Sequence, residues 1–86
     1  MAMELKDTTV LMESENYKER FQAEYYQTKI RYNKLHAMTV RYEAGTLNFE
    51  PSCPLELLLK QKKSMGEYLH ALEVRAEIEH VELKKI

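Results

Sequence analysis

Along residues 17–44, apolar and aromatic side chains return in alternating steps of four and three, through Phe21, Tyr25, Thr28, Tyr32, Leu35, Thr39 and Tyr42. That spacing draws one stripe along an α-helix. A second helical period aligns Leu58, Met65, Leu69, Leu72, Ala76 and Leu83, with Leu55 and Leu59 widening the stripe at its start. Between the two lie Gly45, Pro51 and Pro54. Gly45 can take the positive φ of a C-terminal cap, and Pro54 suits the first position of a helix, where a missing N–H costs nothing. Cys53-Pro54-Leu55-Glu56 reads as a capping box with cysteine in the hydroxyl's place. The pattern predicts an all-α fold: an antiparallel helical hairpin forming one domain over residues 1–86. Residues 1–14 form an N-terminal extension or short helix, 15–44 the first long helix, 45–53 the connection and 54–83 the second helix. Thr8, Thr9 or Ser14 can cap the start.

Both helices carry apolar residues on a second side. Tyr26, Ile30, Ala37 and Val40 oppose the first stripe of helix one, and Val74, Ile78 and Val81 sit about half a turn from the stripe of helix two. A lone pair of helices covers one face of each. These seven residues are therefore expected to form the interface of a homo-oligomeric, coiled-coil-like bundle. The 86-residue length agrees, because a single core of this size stabilises a fold only weakly, by about 3–5 kcal/mol.

Charged residues make up 31% of the chain, yet 13 basic side chains stand against 14 acidic ones. That balance argues against a nonspecific binder of DNA, RNA or membrane surface. One cysteine, Cys53, cannot form an internal disulfide, and the longest apolar run, Leu57-Leu58-Leu59, is far short of a membrane span. A cytoplasmic protein is expected.

The charge is nevertheless unevenly placed. Residues 25–42 hold no acid but contain Lys29, Arg31, Lys34 and Arg41 interleaved with tyrosines. An antiparallel hairpin with this connection pairs residues whose numbers add to about one hundred, bringing the Lys60–Lys63 region toward Met38 and Arg41. Cations beside aromatic rings can clamp phosphates and stack bases. Arg31, Tyr32, Lys34, Arg41, Tyr42, Lys60 and Lys63 are the candidate ligand-binding residues, against the plainer reading of core tyrosines and solvated lysines. Glu73, Glu77, Glu79 and Glu82 gather at the other end, near Lys18 and Arg20.

Two Glu-x-x-His pairs, Glu67/His70 and Glu77/His80, have the spacing of carboxylate-bridged metal helices. Both lie on one helix, about 15 Å apart along its axis, so no metal site is expected, and His70, beside Val74, belongs with an interface. Cys53 has no histidine near it in sequence and reads as a cap or packing residue. No catalytic residue, no cofactor and no enzyme activity is expected.

Tyr17-Lys18-Glu19-Arg20, Lys34-Leu35, Leu47-Asn48-Phe49-Glu50-Pro51, and Leu57-Leu58 with Gln61, Met65, Tyr68, Leu72 and Arg75 resemble the small helical-hairpin proteins of phages and prophages first catalogued in crAss-like phages. The architecture is also similar to that of phage anti-CBASS sponges. The resemblance implies a phage-encoded, non-enzymatic anti-defence protein of the host cell cytoplasm. Such an oligomer sequesters a nucleotide immune signal of the cyclic oligonucleotide class. The alternative is a protein–protein interaction module that binds a host or phage protein through its exposed apolar helix faces.

Overall fold

A computed structural model of the chain describes residues 3–86, so the expectation for the first two positions lies outside the described residues. A 3-10 turn, Leu5–Thr8, leads into α1 (Thr9–Met12), followed by α2 (Tyr17–Ala44) and α3 (Leu55–Glu79). No strand occurs among the described residues. The fold is all-helical, with two long helices packed on one another. Its longest dimension, 43 Å, is the length of α2 at about 1.5 Å per residue.

The antiparallel register is the one the stripes require. Tyr25 meets Glu73, Thr39 meets Lys62, and the Tyr32 ring lies where a Cβ on Gly66 would be 3.6 Å from it. A Cβ at Gly66 would make only ordinary van der Waals contact with that ring. Phe21, Tyr25, Leu69, Leu72 and Ala76 form the centre of the core. Leu58 and Thr39 are buried nearer the connection. Thr39 satisfies its hydroxyl by donating to the His36 carbonyl at 2.8 Å, as a buried polar group must.

Helix ends follow local chemistry. Asn16 caps α2: its Oδ1 accepts from the Lys18 amide at 2.9 Å, and Ser14, the expected cap, instead donates to Glu19 at 2.7 Å. The helix therefore starts at Tyr17 and not at residue 15. At the other end Gly45 takes φ 76, and the Thr46 and Gly45 amides return to the Arg41 and Tyr42 carbonyls at 2.9 and 3.1 Å, a Schellman-type closure. The capping box at Cys53 does not form. Pro54 itself is the N-cap, with an extended ψ of 145 and no side-chain cap bond, which leaves Cys53 one position too early to serve.

α3 stops at Glu79, short of the expected residue 83. His80 adopts the left-handed conformation at φ 57, ψ 44, and the Val81 amide turns back to the Ala76 carbonyl at 2.9 Å. The reversal sends residues 80–86 back along α2. Gln22 donates to the Glu82 carbonyl at 2.8 Å, the Tyr26 hydroxyl accepts from the Lys84 amide at 3.0 Å, and Asn33 donates to the Ile86 carbonyl at 3.3 Å. Val81 is buried, with Leu83 and Ile86 packed at the edge of the core. The amino-terminal segment docks nearby: Gln27 donates to the Thr8 hydroxyl at 3.0 Å, Thr8 is fully buried, and Met3 and Leu11 pack on the same core.

This arrangement corrects part of the interface expectation. Tyr26, Ile30 and Val81 are 2%, 7% and 7% exposed, covered within the chain itself. Ala37, Val40, Val74 and Ile78 remain exposed.

Candidate functional site

The residues expected to bind a ligand do not converge in one chain. Arg31, Lys34 and Arg41 are exposed, and their intervals of three and seven place them on one side of α2. Tyr42 is exposed as well. Tyr32 is half-buried: it rests on Gly66, stacks on His36 at 6.2 Å with an interplanar angle of 2°, and carries Lys29 Nζ 5.7 Å from its ring centroid. Its ring is already engaged in the helix seam. Lys62 reaches across to α2, donating to Thr39 at 3.4 Å, which turns Lys60 about half a turn and Lys63 about a quarter turn away from that helix. Lys60 and Lys63 flank a shallow depression of about 590 Å³ with Pro54, Leu57 and Leu59 on the outer side of α3.

Charge converges elsewhere. A groove of about 550 Å³ opens between α2, α3 and the returning tail. Lys29 from α2 and Lys84 and Lys85 from the tail line it, facing Glu73 and Glu77 of α3, and Ala76, Val81, Leu83 and Ile86 supply apolar wall. Tyr25 forms part of the lining, donating to Glu73 Oε2 at 2.6 Å. Burial first, and then the bond to Glu73, push the Tyr25 hydroxyl far above the ordinary tyrosine value, so it acts as a fixed donor at any physiological pH. The volume lies within the range of small-molecule sites.

The groove lysines are not neutralised inside the molecule. Among the described residues the ion pairs within 4 Å are Lys6–Glu4 and Arg75–Glu79. Lys29, Lys84 and Lys85 therefore share a cavity with two carboxylates without closing on them, which leaves both kinds of group for a ligand. Sequence reasoning missed Lys84 and Lys85 because it ran the second helix through Leu83, making the two lysines its frayed end. Val81, Leu83 and Ile86 around the basic pair make too short a run to show a period, so the sequence carried no signal of the docked tail.

His70 and His80 are exposed, and no group of three His, Cys, Asp or Glu side chains with metal-holding geometry occurs among the described residues. At the open end, Tyr17 donates to Glu79 Oε1 at 2.5 Å. Arg75 donates to Glu79 Oε2 at 3.0 Å and lies 4.8 Å from the Phe21 ring centroid. Lys18 donates to the His80 carbonyl at 3.4 Å. No helix among the described residues is long and apolar enough to cross a membrane.

Compared with known proteins, residues 15–78 match the family model described as Sequestin. No curated protein and no solved structure matches the chain. The matched span covers α2, the connection and all but the last residue of α3. Lys84 and Lys85 fall outside it.

Proposed function

Because the chain belongs to the Sequestin family, we propose that it works by sequestration, holding a small signal molecule without turning it over. The family match is the observation that carries this reading, and the unneutralised lysines of the molecule give it a chemistry. A lysine offers a phosphate a point charge and three donors. To hold a ligand near 10 nM the protein must supply about 11 kcal/mol. A few charge-assisted bonds of about 1.5–3 kcal/mol each, with apolar burial of a base, approach that sum before ordering costs.

The signal is proposed to be a nucleotide of the cyclic oligonucleotide class, as the similarity to phage sponges implies, and the protein a phage-encoded anti-defence factor acting in the host cytoplasm. Arg31, Lys34, Arg41 and Tyr42 form an outer basic face on α2, and Lys60 and Lys63 a separate one on α3. The two would meet only across copies. An oligomer joined through Ala37, Val40, Val74 and Ile78 supplies that meeting. Val74 and Ile78 are 45% and 71% exposed, which also supports the second reading, a protein-interaction module that docks these side chains in a partner's groove.

Titration calorimetry with cyclic di- and trinucleotides and with ADP-ribose tests the first reading. The expected result is saturable, stoichiometric binding, with the nucleotide recovered intact after the protein is denatured. Recovery of a cleaved product, or no heat with any of these, overturns it.

A further inference from the structure

We propose that the groove closed by residues 80–86 is the binding site for a phosphorylated, hydroxyl-bearing small molecule, and that docking of this tail completes the site. The inference rests on the sequestration reading and adds a site within one chain, apart from the basic faces of α2 and α3.

Three observations carry it. The cavity, about 550 Å³, has polar groups of both signs converging from three chain segments. Lys29, Lys84 and Lys85 line it without an ion-pair partner among the described residues, giving the groove one more positive than negative charge against Glu73 and Glu77. A phosphate satisfies the lysines, and sugar hydroxyls are donors for Glu77 and for the second oxygen of Glu73. Glu73 is already oriented for this, since the bond from Tyr25 at 2.6 Å fixes one oxygen and leaves the other.

Third, the tail is held by side chains that do not line the groove. Tyr26 accepts from the Lys84 amide and Gln22 donates to the Glu82 carbonyl, so these are positioning residues for the two tail lysines. A ligand that bridges Lys29 on α2 to Lys84 and Lys85 must favour the docked tail over the undocked one. Binding and docking are then linked by mass action.

The test is calorimetric titration of the full chain with inorganic phosphate, ribose 5-phosphate, ADP-ribose and a cyclic dinucleotide. It is repeated on a Lys84→Gln/Lys85→Gln variant and on a Lys6→Gln variant, whose side chain lies outside the groove. All three lysines are exposed, and circular dichroism checks that helicity is kept. The expected result is binding to the unmodified chain, tighter for ribose 5-phosphate than for inorganic phosphate. The tail variant loses roughly tenfold or more, and the Lys6 variant changes less than about twofold. Equal affinity of the tail variant and the unmodified chain overturns the site while leaving sequestration standing. Equal affinity for phosphate and ribose 5-phosphate overturns it too, by removing the role of the carboxylates. Failure of the unmodified chain to bind any of the four sinks the site and nucleotide sequestration together.

Discussion

The Arg75 guanidinium donates to the Tyr17 hydroxyl at 2.7 Å, tying the last turns of α3 to the first turn of α2. Tyr17 in turn donates a hydrogen bond to Glu79, so the three side chains form a closed ring of contacts at the surface, with Phe21 beneath the guanidinium. An Arg75→Leu variant keeps apolar contact with Phe21 but breaks the ring, and should melt at lower temperature. The difference from the unmodified chain should narrow at high salt, because exposed charges are screened. Thermal melts at two ionic strengths check this.

The same ring sets an acid response. Hydrogen bonds from Tyr17, and then from Arg75, hold the Glu79 carboxyl below its usual range. A lowered folded-state value means a contribution present above the unfolded carboxylate value, about 4.3, and lost as pH falls through the folded one. Melting temperature should therefore decline below about pH 4, and Glu79→Gln should flatten that limb. An unchanged acid limb in the variant would place the response elsewhere.

At the alkaline side the sign reverses. Tyr25 is raised by burial and by Glu73, so its contribution is complete below the ordinary tyrosine value and is lost as pH rises above about 10. Tyr17, raised first by its bond to Glu79, adds to the same slope. Tyr25→Phe should cost about 1 kcal/mol at neutral pH and leave only the shallower alkaline decline due to Tyr17. Urea titrations at neutral and alkaline pH measure both.

Leu72 is 1% exposed and Ile78 is 71% exposed, although they lie within two turns of one another. Leu72→Ala should cost about 2–5 kcal/mol, most of what a core of this size provides, and leave the chain largely unfolded by circular dichroism. Ile78→Asp should change the stability of the single chain by no more than about 0.5 kcal/mol. In the proposed assembly it should also lower the mass seen by light scattering.

The tail gives a fifth measurement. His80 holds a left-handed conformation that costs a non-glycine residue about 1–2 kcal/mol, and His80→Gly relieves it at some cost in unfolded-chain entropy. His80→Pro cannot adopt φ 57 at all. The proline variant should release residues 81–86, speeding amide exchange at Lys84, and the glycine variant should leave that exchange as slow as in the unmodified chain.

The hairpin and its register were readable because long stripes leave few choices. Phe21, Tyr25 and Thr39 could meet Leu58, Leu69, Leu72 and Ala76 in only one antiparallel alignment around Gly45. The termini were not readable. Met3, Leu5 and Leu11, like Val81, Leu83 and Ile86, are apolar runs too short to show a period, so the second face of α2 looked like a demand for another molecule, whereas the chain itself covers Tyr26 and Ile30 and leaves Ala37 and Val40 exposed. His80 hid the end of α3, since a left-handed cap is signalled by glycine or asparagine and seldom by histidine. Placing the helix end four residues too late then concealed the groove, because both tail lysines depend on that reversal.

Four stretches of backbone crowd together where the termini return, whereas only two rods stand side by side near Gly45. The molecule is fastened like a clothes-peg gripped at its legs. Under heat or pull the bend should loosen first, with opening travelling toward the chain ends, opposite to a simple helical hairpin whose loose ends go before its loop.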